Sequence, residues 1–476
     1  MEVLPAPAEQ ESRLFGRTGS RIARALRDLR GVTLGRMGGS LRPDLPEEDI
    51  ARLRQQIDSC LEARGGEVAA RNQATEIGRT YLSLSDKGRK RFLLLLADSY
   101  GVDHAAVRQA AKPLFDQKSE DALAAAERRL RQLLESPRIR LLRQFNGIAQ
   151  GVKFLVDLRA DILRFKRDAP RLGPLDQELR ELLTSWFDAG FLELHAIDWE
   201  APAALLEKLI AYEAVHEIKS WNDLKNRLDS DRRCYGFFHP AMPNEPLIFV
   251  EVALVSGIAG NVQELLDETA PAAVPEEADT AIFYSISNAQ KGLAGVGFGE
   301  FLIKRVVNDL KAKFPRLKTF ATLSPMPGFA AWLDDALKSG DIAVMLPAAD
   351  ALALKAKSGA QSSEAALIGL LETPDWWLDT EITGLLQPVL TRLGARYLLE
   401  ARRDSGTARD PVAHFHLTNG ARVERLNFLG DLSKNGFRQS HGMMVNYLYK
   451  LGDIEKNHER YTDGHIPASG SVRELI

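Results

Sequence analysis

The feature that most constrains this chain is a cluster of four glycines, Gly292, Gly295, Gly297 and Gly299, set between two regular segments. Residues 281–287 are apolar and β-prone, residues 301–314 carry apolar residues at helical spacing, and residues 317–323 are strand-like again. Glycines in such a turn permit positive φ and let backbone come close to a ligand. A helix that follows offers unpaired N–H groups and a positive dipole end to an anion. The arrangement predicts a phosphate-binding turn for a nucleotide-like ligand. It is not a dinucleotide fingerprint, because no clean GxGxxG is present, and no Walker lysine follows the last glycine. A turn made only for tightness is the competing reading.

The turn resembles the CoA-pyrophosphate signature of GNAT-superfamily acyltransferases, (Gln/Arg)-x-x-Gly-x-(Gly/Ala). Ala294-Gly295-Val296-Gly297-Phe298-Gly299 matches it in the final glycines and departs from it at Ala294, where the superfamily has a long polar side chain.

The rest of the chain divides by pattern. Residues 1–45 are rich in Arg, Gly and Pro and read as a flexible or helical arm; the acidic residues among its arginines argue against a transit peptide. Residues 46–190 are helical throughout, with Asp103 and Ser119 as expected N-caps. No catalytic residue types cluster there, which predicts a module for oligomerisation. Residues 191–476 read as one GNAT-like, CoA-binding catalytic domain: a strand at 191–197, helices at 202–212 and 221–228, strands at 233–238 and 247–255, a short helix at 261–268, then the central stretch. Residues 330–405 return to helix, with Trp376 and Trp377 as a packing pair, and from Asp410 to Gly420 the pattern reads as extended. The fold class is therefore α+β and multidomain, an all-helical N-terminal domain followed by a GNAT-like mixed α/β catalytic domain.

A net charge of −3 gives no support to nucleic acid or an anionic membrane as partner. No apolar run approaches the ~20 residues of a membrane span. Two cysteines, Cys60 and Cys234, are too few for a disulfide framework or a cysteine metal site, and are expected as reduced thiols in a cytoplasmic protein.

Several segments taken together are similar to the malonyl-CoA decarboxylase family: residues 281–287, the turn and helix through Phe301-Leu302-Ile303-Lys304-Arg305, Leu323-Ser324-Pro325-Met326-Pro327-Gly328-Phe329, and Phe415-His416-Leu417 followed by Asn419-Gly420-Ala421. Arg232-Arg233-Cys234-Tyr235 and Asn446-Tyr447-x-Tyr449 add to the likeness. The resemblance implies conversion of malonyl-CoA to acetyl-CoA and CO2 without metal or organic cofactor. It assigns substrate binding to the turn Ala294, Gly295, Val296, Gly297, Phe298, Gly299 and Glu300, catalysis to Ser324 and His416, and a pocket role to Tyr449. Several homologues have an acidic residue in the turn where this chain has Gly297, so a role for that carboxylate does not carry over.

The chemistry suits those residue types. Loss of CO2 from a malonyl thioester leaves an enolate whose charge spreads onto the thioester oxygen, so the substrate is its own electron sink. The protein must orient the carboxylate, stabilise the oxygen and protonate the carbon. His416, near its ordinary pKa of about 6.5, is the expected acid. On an extended segment His414 points the same way and is its rival. Ser324 is expected to position the malonyl group by hydrogen bonding; no GxSxG elbow surrounds it to favour a nucleophile. The alternative activity is that of a CoA-dependent acyltransferase, and a non-enzymatic scaffold is a third reading. Self-association as a dimer or tetramer is expected.

Overall fold

The structure, a computed structural model, describes residues 41–62, 66–116, 119–148, 150–187, 189–296 and 302–476. The predicted arm at 1–45 lies outside these residues except for its last five. Two compact units are present. One extends to Trp186 and also takes in Gln290–Val296; the other comprises Phe187–Ala289 and the described residues from Leu302 to Ile476.

The first unit is helical. Helices Glu47–Leu61, Glu67–Ser83, Asp86–Ser99, Pro137–Phe145 and α1 (Gly151–Lys166) bury Leu53, Ile57, Phe92, Leu96, Leu141, Phe145, Leu155 and Ile162 completely. At roughly 1.5–3 kcal/mol per large side chain, this burial is the main stabilising term of the unit. The Asp103 carboxylate caps helix His104–Ala111 through the N–H groups of Ala105 and Ala106. This helix ends at Ala111, just before Pro113, which starts a separate short helix, Pro113–Asp116. Helix Glu120–Leu134 starts after Ser119, whose side chain makes no capping bond. Neither of these two helices has a fully buried residue, and Phe115 beside them is 86% exposed.

The segment Gln290–Val296 is packed into this helical unit. Arg159 of α1, held by Asp176 at 3.0 Å, donates to the carbonyls of Gly292 at 2.7 Å and Ala294 at 2.8 Å. A Cβ on Gly292 would lie 1.7 Å from the Val156 carbonyl oxygen. The absent side chain at Gly292 therefore serves close packing against α1, which corrects the expectation that this glycine clears space for a ligand. Gly295 does adopt a left-handed backbone, φ +73°.

The second unit is built on an eight-stranded mixed sheet. Its strands are β1 (Glu193–Ile197), β2 (Arg232–Phe238), β3 (Ile248–Val255), β4 (Thr280–Asn288), β5 (Thr319–Thr322), β6 (Ser324–Pro325), β7 (Arg422–Asn427) and β8 (Met444–Leu448). Between them come α2 (Ala203–Tyr212), α3 (Trp221–Arg227), α4 (Leu302–Lys313), α5 (Phe329–Ser339), α6 (Thr380–Leu399) and α7 (Pro411–Thr418). β1 to β4 form an antiparallel meander. β4 and β5 are parallel, and α4 lies between them in sequence, as a parallel connection requires. This is the GNAT-like mixed sheet expected from the sequence.

Two irregularities shape the sheet. Opposite β3, Glu251 faces Ser285 while Val252 faces Phe283, so Tyr284 is an extra residue bulged out of β4. The register of β4 with β5 ends at Phe283 opposite Thr322, while β4 continues along β3 to Asn288. The two parallel strands thus part just before Ser324. β8 then runs antiparallel to β5 and β6 in turn, with Ala321 opposite Leu448 and Ser324 opposite Val445.

One expectation fails here. Residues 411–418 are a helix, not an extended segment. Asp410 caps it through the N–H groups of Val412 and Ala413, and Pro411 occupies its first turn, where a missing N–H costs nothing.

Replacing Gly292 by alanine is expected to destabilise the helical unit by about 1–3 kcal/mol through the clash with Val156. A urea denaturation midpoint equal to that of the parent would show that the turn has room to move.

Candidate active site

The chain separation of Ser324, His416 and Tyr449 closes in the second unit. Thr322 and Ser324, two residues apart on extended backbone, share a face, as do Tyr447 and Tyr449 at the end of β8. α7 presents His416 to that face. The His416 Nε2 lies 3.0 Å from Ser324 Oγ, and its Nδ1 lies 2.8 Å from the Tyr449 hydroxyl. The imidazole stacks on the Tyr447 ring, centroids 4.5 Å apart and planes at 25°. His416 is 2% exposed, Ser324 5% and Tyr449 1%.

The hydrogen bonds select a tautomer. Ser324 donates its hydroxyl proton to Thr322 Oγ1 at 2.8 Å, and Thr322 also accepts from the Tyr447 N–H. Ser324 Oγ is then free to accept from His416 Nε2–H, and Nδ1 accepts the Tyr449 proton. Burial pushes the His416 pKa down to about 3, so the ring is neutral near pH 7, and it holds the Tyr449 phenol above its ordinary range. The expectation of a histidine near 6.5 is overturned, because a dry site disfavours the imidazolium.

His414 is no rival. Two residues apart on a helix places side chains on opposite sides, and its Nδ1 instead meets the Tyr461 hydroxyl at 2.7 Å. Tyr447, which the sequence offers only as part of the Asn446-Tyr447-x-Tyr449 likeness, and Thr322 are not among the expected site residues. The alternations Thr322-x-Ser324 and Tyr447-x-Tyr449 were the available signal. The Tyr447 hydroxyl is buried with no hydrogen-bond partner among the described residues.

Of the predicted ligand turn, Ala294, Gly295 and Val296 belong to the helical unit. Gly297, Phe298, Gly299 and Glu300 lie outside the described residues. The described helix α4 begins just beyond, at Leu302.

A helical unit, and a mixed α/β sheet that parts before a buried Ser–His–Tyr cluster, agree with the fold class expected from the sequence, an all-helical N-terminal domain followed by a GNAT-like α/β domain. Residues 190–476 match the malonyl-CoA decarboxylase C-terminal domain, and residues 100–187 match the malonyl-CoA decarboxylase N-terminal domain. The chain belongs to the malonyl-CoA decarboxylase family. It is 36% identical over 430 residues to the mitochondrial malonyl-CoA decarboxylase of Mus musculus, covering 87% of this chain and 85% of that one. The crystal structure of malonyl-CoA decarboxylase from Rhodopseudomonas palustris superposes with a TM-score of 0.81 at 43% identity, covering 89% of this chain and 99% of the other. That from Agrobacterium vitis gives 0.80 at 41% identity, with the same coverage.

The depressed pKa sets a pH dependence. An unfolded histidine titrates near 6.5 and folded His416 near 3, so the unfolded chain binds the proton more readily. The stabilising contribution is complete above about pH 6.5 and is lost as pH falls from there toward 3. Wild-type stability is expected to fall faster across that window than that of His416→Asn, read by urea midpoints at each pH. The 15N chemical shifts of His416 should report a neutral, Nε2-protonated ring at pH 5; an imidazolium at that pH would contradict the assignment.

Proposed function

We propose that this enzyme converts malonyl-CoA to acetyl-CoA and CO2, with Ser324 positioning the malonyl group and His416 supplying the proton. The observation that carries the reading is the buried chain Tyr449–His416–Ser324, with links of 2.8 and 3.0 Å. The bond between the carboxylate carbon and the α-carbon breaks, its electron pair enters the thioester as an enolate, and CO2 departs. An enolate carbon is strongly basic: with substrate bound, the Ser324 hydroxyl turns from Thr322 to the malonyl group, gives its proton to the enolate carbon and takes one in return from the neutral imidazole N–H of His416. Tyr449 O–H at Nδ1 stabilises the ring as it gives up the proton. The reaction consumes one proton, which the chain of groups recovers from solvent.

The direction of the hydrogen bonds supports a non-covalent serine. A nucleophile would give its proton to the imidazole, whereas Ser324 gives its own to Thr322. The turn at residues 294–300 is assigned to the CoA pyrophosphate, supported by the left-handed Gly295, although the N–H groups of Ala294 and Val296 already bond to the carbonyls of Lys291 and Leu293. Self-association is assigned to the helical region 46–190, supported by the half-buried apolar faces of helices His104–Ala111 and Glu120–Leu134. The cytoplasm is the assigned compartment, supported by two buried, unpaired cysteines. Among the described residues no helix is long and apolar enough to cross a membrane.

Incubation with malonyl-CoA and no acceptor should yield acetyl-CoA and CO2; intact substrate would refute the reading and favour an acyltransferase. Ser324→Ala should lose roughly 100- to 1000-fold in kcat, the cost of one preorganised donor, and keep its CoA affinity. A malonyl or acetyl adduct on Ser324, seen by rapid-quench mass spectrometry and decaying at the turnover rate, would overturn the non-covalent role. Light scattering at micromolar concentration should give a dimer or tetramer, and a monomer would remove the assignment of the helical region.

A further inference from the structure

Asp410 is 1% exposed, and its carboxylate accepts four hydrogen bonds that join three pieces of chain. One carboxylate oxygen accepts from Val412 N–H at 2.9 Å and Ala413 N–H at 3.0 Å, capping α7. The other accepts from the Tyr397 hydroxyl of α6 at 3.0 Å and from Gly328 N–H at 3.4 Å. Gly328 closes the Ser324-Pro325-Met326-Pro327-Gly328 turn, and His416 lies on the helix that Asp410 caps. A single side chain thus links the segment bearing Ser324 to the segment bearing His416. The turn is shaped for this approach: a Cβ on Gly328 would lie 2.3 Å from the Tyr397 hydroxyl oxygen and 3.8 Å from the second Asp410 oxygen.

An ordinary N-cap needs one oxygen, and here the second oxygen is directed to the opposite segment. We infer that Asp410 is a positioning residue for the reaction, a clamp that sets the distance between Ser324 Oγ and His416 Nε2. The inference rests on the reading of Ser324 and His416 as the reacting pair. Asp410 touches neither of them and acts through the two backbone segments.

The discriminating variant is Asp410→Asn. Asparagine caps helices as well as aspartate, so α7 retains its start. Its amide NH2 faces Gly328 N–H donor to donor, so the clamp opens. A misplacement of about 1 Å in a reacting pair can cost about 100-fold. The expected result is a kcat lowered by about 10- to 100-fold, KM within about twofold of wild type, and an altered 15N signature of His416 Nε2. Tyr397→Phe, which removes one of the two bonds to the second oxygen, should give a smaller loss in kcat. In a Ser324→Ala background Asp410→Asn should cost less than about twofold, because the distance it sets no longer matters.

Additive losses in the double variant would overturn the inference, as would a wild-type kcat or an unchanged His416 spectrum in Asp410→Asn. A kcat loss accompanied by loss of CoA binding and of cooperative unfolding would assign Asp410 to the fold alone and overturn it too. Failure of the underlying reading looks different: His416→Ala would then turn over malonyl-CoA at the wild-type rate. The His416 spectrum of Asp410→Asn still reads the clamp independently of activity.

Discussion

An imidazole removed from water is held most firmly when both nitrogens find partners, since each unpaired polar atom in a dry interior costs about 1–3 kcal/mol. His416 meets that requirement with Ser324 on one side and Tyr449 on the other. The partners come from a strand before it and a strand after it in sequence. The arrangement therefore depends on β6, α7 and β8 arriving together, and most of the second unit's architecture can be understood as securing that meeting.

Strand order accomplishes part of this. β8 is short and shares a single registered pair with β5, Ala321 opposite Leu448. Asn446, fully buried, compensates. Its amide donates to the Thr322 carbonyl at 2.7 Å and the Ala259 carbonyl at 3.0 Å, and its oxygen accepts from Asn427 at 2.8 Å. Side-chain amides thus replace ladder bonds where the sheet is irregular, and they hold Thr322, the acceptor of the Ser324 proton, beside β8.

The mixed sheet was legible because its strands alternate or run apolar between clear turn signals, and because α4 has strong helical periodicity. Ser324, His416 and Tyr449 came from a family likeness; composition and spacing alone would not have joined residues so distant in sequence. The helix at 411–418 reads as extended from its sequence, although Asp410-Pro411 is a standard helix start. Its eight residues include Val412, Phe415 and Thr418, which favour strands, and a short helix offers little periodicity to set against them. The pKa of His416 was beyond reach for a different reason: burial is a property of the assembled fold. Likewise, the partner that makes Gly292 necessary is the carbonyl of Val156, on a helix well upstream.

The pairing of Ser324 with Val445 has a kinetic side. These residues lie roughly 120 positions apart, and contacts of such separation form late and slowly, after loop-closure entropy has been met. During synthesis the helices of the first unit, with their local contacts, can form while the reacting pair is still incomplete. Until β8 emerges and docks, the exposed edges of β5 and β6 offer unpaired backbone to any neighbouring nascent chain. Competence for chemistry is thus among the last properties the polypeptide acquires, and the interval before it is when association with the wrong strand is most dangerous.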